Sequence, residues 1–383
     1  MLPAGAPGET SVPPRPRGIA QRLLHSNLLE ALTYPHGVDR YVELVRPLLV
    51  KREVRAEVTA VRHQTPRSVT LTLSPNENWH GIRAGQFVNV SVEIEGVRET
   101  RPYSPAGSRH ATGGTLELTV STHPDGKVSR HLRDHARTGT IVGLSQAEGE
   151  FVLPDPRSER VLLISGGSGI TPVMAMLRTL CDEGLVDQGG GTTEVGFLNY
   201  TRSPELALYG AELAQLQERH AGVQVARGFT RGARAGSLNG RFDREHLRAV
   251  ISEHRDAATF VCGPPALIDA VRSVWAQDGL PEPTVETFTP SVLSFDTENA
   301  EGTVSFAASG REAANSGLAL LEQAEDAGLA PDHGCRMGIC NTCSCRKTKG
   351  TVRNVLTGAL SSATEEQIRI CVSVPLGDVT LDL

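Results

Sequence analysis

Four cysteines stand close together near the carboxyl end of the sequence, at Cys335, Cys340, Cys343 and Cys345. The first three have the Cys-x4-Cys-x2-Cys spacing with which thiolates bind a [2Fe–2S] cluster, a pattern that one more distant cysteine completes. Soft thiolates suit iron, and the backbone N–H groups of a short loop can donate to the cluster sulfurs. The spacing therefore predicts an iron–sulfur site.

The identity of the fourth ligand stays open on spacing alone. Cys345 is adjacent in the sequence, and Cys371 in the segment "IRICVS" is the distant candidate. A structural zinc site that includes Cys345 is the alternative, although zinc sites favour two closely spaced cysteine pairs and only one is well placed here. The [2Fe–2S] interpretation is therefore preferred.

A second chemical pattern is the glycine loop "SGGSGITP" at 165–172, which follows the apolar segment "VLLI" and precedes a helical pattern. Glycines in such a turn let a pyrophosphate approach free N–H groups, and the helix macrodipole favours the anion. Thr171 is predicted to cap the helix, and Pro172 to lie in its first turn. The loop lacks the Gly-x-Gly-x-x-Gly spacing, so it indicates a dinucleotide site only together with other motifs.

Three further motifs support the prediction of a ligand site near the glycine loop. "VCGPPAL" places Cys262 at the carboxyl end of a strand, where parallel sheets bind ligands. "RPYSPAG" presents a cation, a ring and a hydroxyl along an extended chain, and these suit one common ligand. "DGKVS" offers a helix N-terminus with Lys127 nearby and Ser129 predicted as its cap. Taken alone, each is more commonly an ordinary turn or a buried thiol.

The elements that must hold these residues fall into three blocks. From 53 to 153, five segments alternate with period two, which predicts a small antiparallel barrel with one short helix. From 159 to about 283, strands alternate with helices, which predicts a parallel sheet covered on its faces. Residues 301–383 contain a strand, a helix, the cysteine loop and a final alternating segment.

Length and composition set limits on the protein. The 383 residues, 39% of them hydrophobic, suffice for two to three domains. A net charge of −6 gives no reason to expect nucleic acid binding, and no apolar run reaches the length of a membrane span. Seven cysteines without a recognisable signal peptide indicate metal or redox chemistry in a reducing compartment. A cytoplasmic location is therefore expected.

The order of these motifs resembles one known family. A barrel with Arg-x-Tyr-Ser, then Gly-Gly-x-Gly-Ile-Thr-Pro, then Cys-Gly-Pro-Pro and a ferredoxin-like module is similar to the ferredoxin–NAD(P)H reductase superfamily with a fused C-terminal plant-type ferredoxin. The resemblance covers about residues 40–383. Within that superfamily, "YVELVRPLLVKREVRAEV" and "GIRAGQFVNV" are most similar to bacterial electron-transfer partners of fatty-acyl (stearoyl-CoA) desaturases.

The resemblance implies a multidomain fold. An antiparallel β-barrel flavin domain is expected at 53–155, and an α/β NAD(P)-binding domain with a parallel sheet at 156–288. An α+β (β-grasp) [2Fe–2S] ferredoxin domain is expected at 301–383, after a linker at 289–300. Residues 1–17, rich in Pro and Gly, are predicted to be disordered, and 18–52 to form a helical extension.

The resemblance also implies which residues act. Ser104 would lie near N5 of the flavin, while Cys262 and Glu286 would border the nicotinamide and the flavin, so these three are the expected catalytic residues. Phe288 would cover the ring in place of the terminal aromatic residue of the plant enzymes. The remaining residues expected to bind flavin or nucleotide are Arg101, Tyr103, Gly126, Lys127, Ser129, Gly166, Gly167, Gly169, Thr171, Arg202, Arg231 and Gly263.

For the cluster, the resemblance implies that Cys371 completes the ligand set with Cys335, Cys340 and Cys343. Cys345 is then a small residue on the strand that leaves the loop.

The nucleotide and the flavin are predicted from less specific features. Arg202 in "YTRS" and Arg231 in "FTRG" follow successive strands, and after the first of these strands there is no carboxylate until Glu205. Cations suit a 2′-phosphate, whereas Asp or Glu commonly meets a free 2′-hydroxyl, so NADPH is predicted over NADH. FAD is predicted over FMN from the similarity to desaturase partners, although relatives that serve aromatic-ring dioxygenases use FMN.

The function implied is that of an NAD(P)H-dependent oxidoreductase that passes electrons from NADPH through flavin and [2Fe–2S] to an oxygen-activating protein. A fatty-acyl desaturase is the predicted acceptor, and a peripheral contact with a membrane-bound acceptor is compatible with it. The alternative is a reductase for a Rieske-type oxygenase or a cytochrome P450, with NADH or FMN. A non-catalytic, zinc-stabilised binding module is the remote alternative.

Overall fold

The computed structural model describes residues 48, 50, 53–111, 114–123, 126–187, 192–231, 238–288, 300–333, 338, 342–356 and 358–383. These residues form three sets of strands and helices, each with its own apolar core. The predictions for 1–17 and for nearly all of 18–52 and 289–300 fall outside the described residues.

The first unit is antiparallel. Its elements are β1 (Val54–Thr65), β2 (Ser68–Pro75), β3 (Val88–Ile94), β4 (Val97–Tyr103), β5 (Leu116–Ser121), helix α1 (Lys127–His135) and β6 (Ile141–Leu144). The six strands pair in the order β4-β3-β6-β1-β2-β5 and curl around one core. Alternating apolar residues fill this core, because successive side chains of a strand point to opposite faces. The predicted antiparallel flavin-domain fold is confirmed.

One strand of this sheet is missing from the sequence prediction. The segment "VRETRPY" forms β4, whereas the pattern predicts that "RPYSPAG" merely follows a strand. None of its residues is buried, so it has no apolar alternation to reveal it. Its extended shape depends on antiparallel pairing with β3, which runs from Val97 opposite Ile94 to Tyr103 opposite Val88. β4 is an edge strand held by its neighbour.

The second unit has a parallel sheet. Its elements are β7 (Arg160–Gly166), α2 (Ile170–Asp182), β8 (Glu194–Thr201), α3 (Gly210–Arg219), β9 (Val223–Phe229), β10 (Leu238–Asn239), β11 (Ala258–Cys262), α4 (Pro265–Gln277) and β12 (Thr284–Glu286). The strands pair in the order β10-β9-β8-β7-β11-β12, all parallel. The central strands are apolar throughout because each face packs against its own core.

The third unit is mixed. Its elements are β13 (Thr303–Phe306), β14 (Arg311–Ala314), α5 (Leu320–Asp326), β15 (Ser344–Lys349), β16 (Val352–Asn354), β17 (Leu360–Ser361), β18 (Glu366–Arg369), β19 (Ser373–Pro375) and β20 (Val379–Leu381). They form a sheet of order β14-β13-β20-β15-β18 and a smaller sheet of order β17-β16-β19. Among the helices described, none is long and apolar enough to cross a membrane.

One arginine ties the second unit to the first. Arg178 of α2 donates to both carboxylate oxygens of Glu212, each at 2.7 Å. Its remaining nitrogen donates to Glu117 of β5 at 2.9 Å and to the Ala106 carbonyl at 2.8 Å. Burial opposes the guanidinium charge, but the bonds and charges of the two carboxylates outweigh it and raise the pKa of Arg178.

A tyrosine beside this arginine makes a second connection. The hydroxyl of Tyr209 is hydrogen-bonded to that of Thr119 on β5, and its backbone N–H donates to the Gln64 side chain at 3.1 Å. Tyr209 has a left-handed backbone with φ of 58°, which is uncommon for a residue with a large side chain. The guanidinium carbon of Arg178 lies 5.1 Å from the centre of its ring, within the range of a cation–π contact.

Removal of the Arg178 side chain should destabilise the pair of units. In an Arg178→Ala variant, Glu117 and Glu212 lose their shared cation, and we expect the free energy of unfolding to fall by about 2–3 kcal/mol. Urea unfolding followed by tryptophan fluorescence measures this, because Trp79 and Trp275 lie in different units. Arg160→Ala is the control, since its pairs with Glu194 and Asp256 are more exposed and contribute about 0–1 kcal/mol. Equal losses in the two variants would contradict this account.

Candidate functional site

A cleft of about 240 Å³ is lined by residues of the first and second units. Arg101, Tyr103 and Ser104 reach it from β4 and the turn that follows. Thr171 of α2 and Glu286 of β12 reach it from the second unit. Arg101 and Glu286, which are 185 positions apart in sequence, therefore contribute to one cleft, as the resemblance implies.

The strand β4 determines how its side chains meet the cleft. Arg101 and Tyr103 are two residues apart and so point to the same face of the sheet. Desolvation raises the pKa of the half-buried Tyr103, so its hydroxyl stays protonated, and the Ser104 side chain is buried. The segment therefore offers a cation, a ring and a hydroxyl, the three groups expected from its sequence.

The start of α1 forms another part of the cleft wall. A Cβ atom at Gly126 would lie 2.4 Å from the Ser129 hydroxyl oxygen, so a larger residue there would require the Ser129 side chain to move. The Ser129 hydroxyl donates to the Gly126 carbonyl at 3.1 Å, and no side chain caps the helix. The prediction that Ser129 is the cap is therefore wrong, because its hydroxyl donates to a carbonyl instead of accepting from an N–H group. Lys127 forms an ion pair with Glu99 at 3.1 Å.

The two glycine-containing turns of the second unit pack directly together. β7 and β11 are neighbours, with Ser165 opposite Cys262. A Cβ atom at Gly169 would lie 2.3 Å from the Cys262 carbonyl oxygen, and one at Gly166 would lie 2.7 Å from Pro264 Cδ. A Cβ atom at Gly263 would lie 3.0 Å from the Gly166 nitrogen. These glycines are needed for the close approach of two backbones.

The helix after the first turn begins differently from the prediction. Gly169 is its N-cap, and Thr171 lies inside the helix, where its hydroxyl donates to the Ser168 carbonyl at 3.3 Å. The prediction that Thr171 is the cap is therefore wrong, while Pro172 does lie in the first turn. Gly167 has φ of 58° with nothing within 4 Å of its Cβ position, so this part of the loop is open.

A carboxyl, a hydroxyl and a thiol meet where β11 and β12 end. Cys262 lies opposite Glu286, and the Ser104 hydroxyl lies 3.5 Å from a Glu286 carboxylate oxygen. Desolvation raises the pKa of Glu286 to about 8, opposed only by that hydrogen bond. The Cys262 thiol is fully buried, and its pKa is raised by burial and then by the charge of Glu286. Glu286 is therefore mostly protonated at neutral pH, and Cys262 stays a thiol behind the cleft wall.

Two arginines lie side by side at the carboxyl edge of the same parallel sheet. The Arg231 N–H donates to the Arg202 carbonyl at 2.9 Å, just beyond the ends of β9 and β8. Both residues are exposed. The nearby acid is Glu205, whose pKa is lowered first by a hydrogen bond from the Ser203 side chain and then by its own backbone N–H. This edge of the sheet thus carries two exposed cations.

The third unit brings two of the predicted cluster ligands together. Cys343 and Cys371 are buried, with their sulfur atoms 3.0 Å apart. Cys371 lies in the short 3-10 turn Ile370–Val372. Cys335 and Cys340 lie outside the described residues. Two adjacent buried thiols fit a site for a thiophilic metal centre.

Cys345 is not part of the Cys343–Cys371 pair. It is on β15, and its sulfur is 3.6 Å from the Arg346 carbonyl and 3.8 Å from the Asp382 carbonyl.

Gly338, in the cysteine loop, has φ of 71°, and a Cβ atom there would lie 2.8 Å from the Val372 methyl groups. Gly338 therefore packs closely on the turn that carries Cys371.

Several residues of the cleft have no role in the sequence prediction. Phe87, Thr119, Ser121, His123 and Ser168 all line it. The sequence pattern could have identified Thr119 and Ser121, because they are polar residues two positions apart in a strand whose other face is apolar. Phe87, His123 and Ser168 lie outside regular strands, where no periodicity marks them.

The cysteine arrangement leads to a direct prediction about metal content. A Cys371→Ser variant should lose the iron–sulfur absorbance and the bound iron and sulfide, because serine replaces a buried thiolate beside Cys343. Cys345→Ser, the matched control, should keep both, since its sulfur lies against backbone carbonyls. Iron and acid-labile sulfide assays decide between them. Loss of iron in Cys345→Ser together with retention in Cys371→Ser would contradict the assignment.

Comparison with known families divides the chain into the same three parts. Residues 56–153 match an oxidoreductase FAD-binding domain, and residues 163–273 match an oxidoreductase NAD-binding domain. Residues 307–376 match a 2Fe-2S iron-sulfur cluster binding domain. The expectations of FAD, a nicotinamide nucleotide and a [2Fe–2S] cluster are therefore confirmed.

Individual relatives are similar to this chain over most of its length. An NADPH oxidoreductase of Mycobacterium tuberculosis is 34% identical over 357 residues, which span 92% of this chain and 90% of that protein. A glycine betaine monooxygenase reductase subunit of Pseudomonas aeruginosa is 28% identical, over 78% of this chain and 87% of that protein. The solved structure of phthalate dioxygenase reductase covers 86% of this chain and 97% of its own, with a TM-score of 0.55 at 22% identity.

The similarity thus extends over nearly the whole chain and includes all three units in the same order. The chain belongs to the ferredoxin–NAD(P)H reductase superfamily, and it is an oxidoreductase that transfers electrons from NAD(P)H through FAD to a C-terminal [2Fe–2S] ferredoxin domain.

Proposed function

We propose that this protein uses NADPH to deliver single electrons to an oxygen-activating enzyme, and that this enzyme is a fatty-acyl desaturase. The observation that carries the proposal is the convergence of Arg101, Tyr103, Ser104, Thr171 and Glu286 on one cleft between the FAD-binding and NAD-binding units. The fused ferredoxin domain completes the path to a protein acceptor.

The residues of the cleft fit a flavin. The proposed role of Arg101 and Lys127 is to bind its phosphate groups, with Gly126 leaving room at the helix N-terminus. Tyr103 and Ser104 then meet the ring system, and Phe288 lines the same cleft. FAD, when bound, supplies the conversion between a two-electron donor and a one-electron acceptor.

The glycine turns define the proposed nucleotide site. Gly166, Gly167 and Gly169 lie at the carboxyl end of β7, beside the Cys262–Gly263 turn, and α2 directs its N-terminus toward this loop. A dinucleotide bound here has its pyrophosphate at the helix N-terminus. Its nicotinamide end then lies toward Glu286 and Ser104, which are 3.5 Å apart.

Arg202 and Arg231 support NADPH as the electron donor. They are adjacent and exposed at the carboxyl edge of the sheet, where the adenosine half of a dinucleotide binds in such folds. The mycobacterial relative is named for the same nucleotide. An arginine contact to a phosphate is charge-assisted and so favours NADPH over NADH.

Loss of one of these arginines should weaken NADPH selectively. For Arg231→Ala we expect the KM for NADPH to rise about tenfold and the KM for NADH to change little, because one charged hydrogen bond contributes about 1.5 kcal/mol. Steady-state reduction of ferricyanide measures both constants. Arg219→Ala, at the exposed end of α3, is the control and should leave both constants unchanged. A wild-type preference for NADH would contradict the proposal.

Glu286 is proposed to hold a proton beside Ser104 at the reacting end of the cleft. Its raised pKa of about 8 keeps it neutral at pH 7, so a proton is available beside the cleft. The Ser104 hydroxyl, within 3.5 Å, connects this carboxyl to the flavin side.

The pH dependence of turnover tests this role. Because the folded-state pKa is raised, Glu286 is protonated below about pH 8 and loses its proton above it, so kcat of the wild-type protein should decline above that pH. Glu286→Gln cannot titrate, so its lower kcat should lack that decline. The profile is measured with NADPH and ferricyanide from pH 6 to 10. A decline near pH 8 that persists in Glu286→Gln would rule out this carboxyl as its cause.

The acceptor is the least specific part of the proposal. The desaturase assignment comes from the resemblance of "YVELVRPLLVKREVRAEV" and "GIRAGQFVNV" to desaturase partners. A multicomponent oxygenase is the second candidate, because the Pseudomonas relative is named as the reductase subunit of a monooxygenase. Both acceptors take single electrons from a reduced cluster.

Reconstitution distinguishes these acceptors. The full-length protein and NADPH are combined with a bacterial fatty-acyl desaturase in vesicles, with a Rieske-type oxygenase or with a cytochrome P450, and product is quantified for each. We expect product formation with the desaturase at a rate at least tenfold above the others. Efficient turnover with the oxygenase or the P450, and none with the desaturase, would replace the proposed acceptor.

A further inference from the structure

One carboxylate, that of Glu99, lies between the two cations to which the proposed function assigns the flavin phosphates, Arg101 and Lys127. An oxygen of Glu99 is 3.1 Å from the Lys127 ammonium, and its other oxygen is 3.6 Å from an Arg101 guanidinium nitrogen. Glu99 and Arg101 are two residues apart on the edge strand β4 and therefore share a face. Lys127 is the first residue of α1, so Glu99 links the strand to the helix N-terminus.

Stability does not account for this arrangement. The side chains of Glu99, Arg101 and Lys127 are 21%, 40% and 43% exposed, and pairs so exposed contribute about 0–1 kcal/mol. The helix N-terminus beside them favours an anion. Glu99 thus places a permanent negative charge at the position proposed for flavin phosphate.

The charges of the two flavins differ at this position. In FAD the two charges of the pyrophosphate are divided between two phosphates, one charge on each, whereas FMN carries about 1.5 to 2 charges on a single phosphate at pH 7. Arg101, Lys127 and Glu99 together carry a net charge of +1. The ribityl phosphate of FAD brings one charge to this point and neutralises the group, with its second charge on the neighbouring phosphate, while FMN brings both charges to the same point.

We propose that Glu99 is a specificity-determining residue that favours FAD over FMN by repelling the doubly charged phosphomonoester. The inference rests on the proposed phosphate-binding role of Arg101 and Lys127. Because the ion pairs of Glu99 are weak, the phosphate of FAD takes over both cations at low cost. The same carboxylate opposes any ligand that brings a second charge to this point.

Flavin competition on the full-length chain tests the proposal. Protein stripped of flavin, with its cluster intact, is incubated with an equimolar mixture of FAD and FMN, and the bound flavins are quantified after denaturation. In Glu99→Gln we expect the bound FMN-to-FAD ratio to rise about fivefold at low ionic strength, and less in high salt. Glu99→Asp retains the charge and should keep the wild-type ratio.

Two further variants separate the possible failures. Glu93→Gln removes a charge from an exposed position on the neighbouring strand β3 and should leave the ratio unchanged. Lys127→Ala should weaken the binding of both flavins. If Lys127→Ala weakens both but Glu99→Gln leaves the ratio unchanged, or changes it no more than Glu93→Gln, the role of Glu99 is wrong. If Lys127→Ala has no effect on either flavin, the proposed phosphate site itself is wrong.

Discussion

The pairing of Arg178 with two carboxylates on different units is the contact on which the geometry of the cleft depends. Glu212 belongs to the NAD-binding unit and Glu117 to the FAD-binding unit, so one guanidinium joins them. Electron transfer between two bound cofactors requires a fixed geometry, and a displacement of about 1 Å lowers the rate strongly. The hydroxyl contact between Tyr209 and Thr119 adds a second fixed point, and Thr119 itself lines the cleft. The contact between the two units thus adjoins the cleft whose geometry depends on it.

Within the NAD-binding unit, the positions of the site residues depend on glycines, which have no side chain. The turns after β7 and β11 approach so closely that a methyl group at Gly166, Gly169 or Gly263 would collide with the opposite turn. This contact places the end of β11 beside the glycine loop. Since β12 pairs with β11, Glu286 is carried to the cleft, where burial keeps its carboxyl protonated.

The sequence predicts those parts of the structure in which a local pattern decides. Apolar runs and glycine turns suffice for the parallel sheet, and the family resemblance predicts that Cys371 meets Cys343. The predicted roles of the cleft residues, by contrast, are still proposals. Cys335 and Cys340 lie outside the described residues.

Other features depend on contacts that no local pattern encodes. The strand β4 has no apolar alternation and is extended because β3 pairs with it. Thr171 and Ser129 have the right residue type for helix caps, yet each hydroxyl donates to a carbonyl three residues back. Arg178 and Glu117 are 61 positions apart, so only the folded chain reveals their pairing. The failures thus have three physical causes: pairing with a neighbouring strand, a local hydrogen bond that competes with a cap, and an ion pair between distant parts of the sequence.

The central claim is that one chain accepts electron pairs from NADPH and passes them singly to its own cluster. Anaerobic titration of the full-length protein with NADPH, followed by flavin and iron–sulfur absorbance, tests it most directly. FAD holds two electrons and the cluster one, so complete reduction should require about 1.5 equivalents of NADPH and bleach both chromophores. An end point at about 1 equivalent, with the iron–sulfur absorbance unchanged, would contradict the account.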